Sequence, residues 1–278
     1  MEPFATSRAA ADAFLARLSR APAVMGILNV TPDSFSDGGR FLAPGAALAH
    51  AEALASAGAD IIDIGAESTR PGFVPVAADD EWRRLEPVLM AMLARFDLPV
   101  SVDTTKAAVA RRAVALGAAM INDISGLRAD PAMAEVAAES GAALVVMHHR
   151  AEIDPDRDIL ADLFDFFDAT LDLARQAGVA REKIVLDPGV GFGKSLRQNL
   201  QAIDSCGSLR EKFGLPVLIG ASRKSFIGAL TGAPVEERLA GTLAAHLRAF
   251  WRGAAIFRVH DVAEHVAALK IWSEIDRA

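Results

Sequence analysis

Gly117-Ala118-Ala119-Met120-Ile121-Asn122-Asp123 is the stretch on which the fold turns: a glycine, an almost unbroken apolar run, then two polar residues. The glycine closes an Ala- and Val-rich helical segment, and glycine suits that place because a helix often ends on a left-handed residue. An apolar run without alternation reads as a strand buried on both faces, which implies a parallel sheet. The unit recurs. Gly58 stands before Asp60 to Gly65, Gly141 before Ala142 to His148, Gly178 before Lys183 to Asp187, Gly214 before Leu215 to Gly220, and Gly253 before Ala255 to His260. With Val24 to Val30 and Leu98 to Asp103 the strands number about eight, each followed by a helical segment.

Eight such units close into a barrel, and the expected fold is α/β: a single (β/α)8 TIM barrel spanning residues 1–278, with residues 1–20 as an extra amphipathic N-terminal helix. The 278 residues suit the roughly 250 that such a barrel needs. A doubly wound open sheet is the alternative, but no Gly-rich dinucleotide turn follows the first strand. Hydrophobic residues at 52% and charged residues at 23% supply a core and exclude a disordered chain. A net charge of -7 argues against nucleic acid, whose phosphates are captured by clustered Lys and Arg. The lone Cys206 rules out an internal disulfide framework and a thiolate zinc site, which points to a reducing, cytoplasmic setting. No run approaches the roughly 20 apolar residues of a membrane span, and residues 1–20 lack a signal-peptide core.

Each strand runs apolar and then ends polar: Asn29, Asp63, Asp103, Asn122 with Asp123, His148, Asp187, Ser222-Arg223-Lys224, and Arg258 with His260. In a barrel these ends meet on one rim, where barrel enzymes carry their active sites. Asp63, Glu67 and Asp123 read equally well as helix caps or loop ligands. The long loop Asn29 to Gly39 reads as a lid. Gly189-Val190-Gly191-Phe192-Gly193-Lys194-Ser195 has three residues between its framing glycines where a nucleotide loop has four, so no triphosphate site is expected there. His148 and His149 point to opposite faces of a strand end and do not share a metal. Trp251 and Trp272 are read as packing or subunit-interface residues.

Taken in order, Asn29 to Gly39, Asp63 to Gly72, Ser101-Val102-Asp103, Asn122-Asp123-Ile124, Asp187 to Lys194, Gly220 to Ser225 and Arg258-Val259-His260-Asp261 resemble the motif set of dihydropteroate synthases. The resemblance covers residues 25 to 262. It implies displacement of diphosphate from a dihydropterin diphosphate by the amine of 4-aminobenzoate, in a homodimer that uses Mg2+. Asp103, Asn122, Asp187 and Lys224 match the pterin-binding positions, consistent with a heterocycle whose amino-oxo edge needs carboxylates, an amide and a cation. Asn29, Thr69, Arg258 and His260 match the diphosphate site, with Asn29 as the metal ligand. Phe35, Thr69, Arg70, Phe192 and Ser225 match the surroundings of 4-aminobenzoate. Asp37, Lys224, Arg258 and His260 are the expected catalytic residues, with Arg258 acting on the diphosphate rather than on the pterin. Residues 149–158 are more acidic than the family pattern. A pterin-binding methyltransferase domain and a non-catalytic pterin-binding paralogue are the rival readings; the first loop, Thr69-Arg70 and the Arg258/His260 pair favour the synthase.

Overall fold

The computed structural model describes residues 4–30, 44–67 and 76–278. Helix α1 (Ala5–Arg17) precedes β1 (Ala23–Asn29), after which come α2 (Pro44–Ser56), β2 (Ile61–Gly65), α3 (Ala78–Arg95), β3 (Val100–Asp103), α4 (Ala107–Leu116), β4 (Met120–Asp123), α5 (Met133–Ser140) and β5 (Ala143–Met147). The second half continues with α6 (Ile159–Gln176), β6 (Ile184–Asp187), α7 (Leu196–Asp204), α8 (Cys206–Phe213), β7 (Leu218–Ile219), α9 (Ser225–Thr231), α10 (Leu239–Trp251), β8 (Ile256–Val259) and α11 (Val262–Arg277). The eight strands pair in the order β6-β5-β4-β3-β2-β1-β8-β7, all in parallel. A bridge between Leu186 and Val217, with Leu186 N donating to Pro216 O at 3.0 Å, joins β6 to β7 and closes the ring. An open doubly wound sheet would leave two free edges instead.

Gly58, Gly117, Gly141, Gly178, Gly214 and Gly253 all take positive φ, as helix-ending residues should. β1 keeps its seven residues and starts one earlier, at Ala23, while the other strands are shorter than their apolar runs, most by a residue or two. β7 shrinks most, to Leu218–Ile219, because Pro216 has no N–H to give the ladder. Two helices follow β6 and two follow β7, where one each was expected.

Alternation along each strand sorts its side chains. Ile62, Ile64, Val100, Val102, Leu144, Val146 and Phe257 face outward and pack in the main core with helix residues such as Leu85, Val109 and Phe167. Met25, Ile61, Met120, Val145, Val185, Leu218 and Ile256 face inward and form a separate plug, to which α1 adds Ala11 and Phe14. Helix α1 buries one stripe, Ser7, Ala11 and Phe14, at helical spacing. Ser7 Oγ donates to Ala118 O at 2.5 Å, and Lys183 pairs with Asp12 at 2.6 Å. The N-terminal helix therefore stoppers the end of the barrel opposite the polar rim, leaving that rim open for chemistry.

Candidate active site

Counting two residues on from the plug gives the site. Asp63 follows Ile61, Asn122 follows Met120, Asp187 follows Val185, and Arg258 follows Ile256, so all four keep the inward face of their strands. Asp103 joins them because it pairs in register with Asn122 and Gly65. Arg258 lies across the mouth: its Nε donates to Asp63 Oδ2 at 2.6 Å and its Nη2 to Asp103 Oδ2 at 2.8 Å. Asn122 Nδ2 donates to Asp63 Oδ2 at 3.0 Å, leaving the amide oxygen as an acceptor. Asp63 is fully buried, and its Oδ1 has no hydrogen-bond partner among the described residues. Arg258, expected at the diphosphate, is thus also tied into the carboxylate cluster.

Burial pushes Asp103 up to about 7 although Arg258 pulls the other way, and pushes Asp187 up to about 6 against the Gly189 N–H, which donates to its Oδ1 at 2.7 Å. Lys224 is driven down to about 8, first by burial and then by Arg258, with Asp187 and Asp103 opposing. Two carboxyls and an ammonium are therefore all poised near neutrality, a mark of functional sites. The Lys224 ammonium stands 4.1 Å from the centre of the Phe192 ring.

Phe192 is carried by the Asp187–Lys194 loop, which threads between β5 and Lys224. A Cβ at Gly189 would meet His148 O at 1.9 Å and one at Gly193 would meet Arg150 O at 2.2 Å, so only glycine passes there. Lys194 bolts the loop from inside: its Nζ reaches His148 Nδ1 at 2.9 Å, Gly189 O at 2.8 Å and Phe192 O at 3.1 Å. A nucleotide-loop lysine would reach outward to a phosphate; this one is buried under its own loop. With Nδ1 facing an ammonium, the His148 proton sits on Nε2, 2.8 Å from Asp162. Burial and Lys194 hold that ring down to about 4.

At β8, His260 N donates to Ser222 Oγ at 3.2 Å, and that hydroxyl lies 3.0 Å from His260 Nδ1. With the hydroxyl donating to Nδ1, the ring proton falls on Nε2 and faces away from Ser222. Burial and Arg258 lower His260 to about 4, so it is a neutral donor at pH 7.

The pterin binding enzyme family model matches residues 25–260. A dihydropteroate synthase of Clostridium beijerinckii is 44% identical over 255 residues, 91% of this chain and 94% of that one. This chain belongs to the dihydropteroate synthase family. Among solved structures, the Clostridium difficile dihydropteroate synthase in the presence of pteroic acid superposes with a TM-score of 0.89 at 44% identity, covering 93% of this chain and 98% of that one. The Xanthomonas albilineans dihydropteroate synthase in complex with 7,8-dihydropteroate gives a TM-score of 0.86 at 45% identity, covering 93% and 95%.

For a dihydropteroate synthase, the remaining candidates divide cleanly. Asn29 ends β1 beside Gly65, at the rim. Ser225 opens α9 next to Lys224 and is exposed. Phe35, Asp37, Thr69 and Arg70 lie outside the described residues. Asp123 faces outward and ties a turn through Ser125 N at 2.8 Å and Leu127 N at 2.7 Å. Glu67 is taken up by Lys106 at 2.5 Å and Val76 N at 2.7 Å. Of the three ambiguous acids only Asp63 enters the cluster. The arginines of the acidic stretch 149–158 turn onto Asp162 of α6, Arg157 at 3.0 Å and Arg150 at 3.2 Å; Arg157 also meets Asp154 at 3.4 Å, and Asp158 caps α6. Lys194 escaped sequence reasoning because a lysine in a glycine-rich loop gives no sign of which way it points.

Proposed function

We propose that the chain condenses 6-hydroxymethyl-7,8-dihydropterin diphosphate with 4-aminobenzoate to give 7,8-dihydropteroate and diphosphate, acting as a transferase, by a dissociative substitution at the pterin methylene. The observation that carries this reading is the inward cluster of Asp103, Asn122 and Asp187 with Lys224 across from it. Ionised carboxylates and the Asn122 oxygen accept from the amino and ring N–H groups of the pterin, and Lys224 donates to its oxygen. The pocket is buried, so each such bond counts for more than it would in water.

Bond cleavage leaves negative charge on the diphosphate and positive charge on the pterin methylene. Arg258 has Nη1 left to donate, and the neutral His260 can donate from Nε2; both serve the departing oxygens. Among the described residues no three His, Cys, Asp or Glu side chains are grouped to hold a metal ion. That donor set suits an ion bound mostly by water and phosphate oxygens, with Asn29 as the protein ligand. Mg2+ there would neutralise leaving-group charge. The family resemblance assigns Asp37 to the cation, Thr69 to the diphosphate, and Phe35, Thr69 and Arg70 to 4-aminobenzoate. Phe192 and Ser225 would complete that second subsite. An aromatic amine is already unprotonated at neutral pH, so it needs positioning more than a base.

Residues 1–278 then act as one domain. No described helix is long and apolar enough to cross a membrane, and the free, buried Cys206 suits a cytoplasmic setting. We place the homodimer contact at the groove of α10 and α11 lined by Leu247, Trp251 and Trp272, where Trp251 is 58% exposed. Purified protein given the pterin diphosphate, Mg2+ and 4-aminobenzoate should release diphosphate and dihydropteroate in equal amounts. Pterin uptake without product would return the reading to a non-catalytic pterin binder.

A further inference from the structure

Behind the rim, between α10 and α11, lie two buried histidines that the reaction does not use. His246 and His265 are each 1% exposed, with ring nitrogens 2.9 Å apart. Their protonation follows from their neighbours. Ala221 N, which can only donate, points at His246 Nε2 at 3.1 Å, so Nε2 is bare and Nδ1 carries the proton. That proton goes to His265 Nε2, which leaves the second ring's proton on Nδ1, where it meets Asp261 O at 2.6 Å. Burial lowers the pKa of both rings, which keeps them neutral, as the pattern requires.

The two ends of this chain of hydrogen bonds are informative. Ala221 begins the segment that ends in Lys224, and Asp261 follows His260. The same two segments meet again on the rim side, through Ser222 with His260 and through the Arg223 guanidinium on the Asp261 carboxylate. Arg223 is held at φ 57, a conformation that side chains avoid unless the surroundings fix it. Thr242 Oγ1, which takes Arg223 N at 3.1 Å, and Arg238, which donates to Arg223 O at 3.1 Å, help to do so. The histidine pair supplies the tie from behind.

We infer that His246 and His265 are positioning residues: a neutral two-ring relay that fixes the Ala221–Lys224 segment relative to His260, and so sets the distance between the pterin cation and the diphosphate donor. The inference rests on the synthase reading for the meaning of that distance. Breaking the relay at His265 strands the buried His246 Nδ1–H without an acceptor, and a ring that turns or shifts to find one gives up its bond from Ala221 N.

The test compares His265→Phe, which keeps the ring but loses both nitrogens, with His265→Gln, whose amide oxygen can still accept from His246 Nδ1. Calorimetry with dihydropterin diphosphate should show binding about tenfold weaker in the Phe variant and restored to within about twofold in the Gln variant. The KM for 4-aminobenzoate, whose proposed subsite includes Ser225 next to Lys224, should follow the pterin affinity, raised in the Phe variant and restored in the Gln variant. Where the Phe variant does not fold, His265→Leu, which likewise offers no acceptor, takes its place in the same comparison. Equal losses in the Phe and Gln variants, or no loss in either, would overturn the relay. If the unaltered protein makes no dihydropteroate, the synthase reading fails while the binding comparison still judges the relay.

Discussion

Arg258 has a structural part beside the chemical one proposed for it. Its guanidinium bridges Asp63 and Asp103, and Asp63 has no exposure to water. Removing it strands two buried carboxylates at close quarters. Arg258→Ala is therefore expected to cost about 3 kcal/mol of stability and to weaken pterin binding as well as turnover. Thermal melts and pterin titration check this; a loss of turnover alone would restore the separate-roles picture. Lys194 is the converse case, an amine that touches only protein and that burial lowers to about 7. Lys194→Met should free the Phe192 loop, and because Phe192 flanks Lys224 the KM should rise for both substrates. An unchanged KM for both would show the loop to be held by its glycines alone.

At the scale of elements, helix α1 is the clearest division of labour. Its Phe14 enters the inner plug at the end away from the chemistry. Phe14→Ala should cost about 3 kcal/mol and lower Tm by on the order of 10 °C, with KM for both substrates unchanged in enzyme assayed well below the new midpoint. The strands and their polar ends are legible in the sequence because buried parallel strands leave long apolar runs, and period-2 alternation then says which end residues share a face. That parity by itself separates Asp63 from Asp123: Asp63 stands two residues beyond Ile61, whereas Asp123 stands three beyond Met120. The shortening of β7 is likewise written in Pro216. What the sequence does not carry is how side chains from distant segments meet. The turn of Lys194 toward His148 and the bridging of Arg258 between two acids depend on barrel closure, which brings residues 63, 103 and 258 to one point.

For the whole molecule, the site works against the fold that carries it. Asp187 and Asp103 have raised pKa values, so their contribution to stability is full below the ordinary carboxylate range near 4 and disappears as the pH rises through about 6 and about 7. Lys224 is lowered to about 8, so its buried charge is a cost below that pH, relieved as the unfolded-state value near 10.5 is approached. The proposed pterin contacts ask for the opposite: ionised carboxylates and a charged lysine, together best met between about 7 and about 8. Affinity should thus peak in the window where these groups help the empty protein least, and a titration that strengthened steadily down to pH 5 would contradict it.

The most direct measurement is calorimetric titration of dihydropterin diphosphate at pH 7.5 into the unaltered protein and into Asp187→Asn, with thermal melts of both. The inward-facing pterin site predicts tight binding by the first and none by the second, while the variant, relieved of a buried charge, melts higher by several degrees, in line with a cost on the order of 3 kcal/mol. Equal binding by the two proteins would contradict the account.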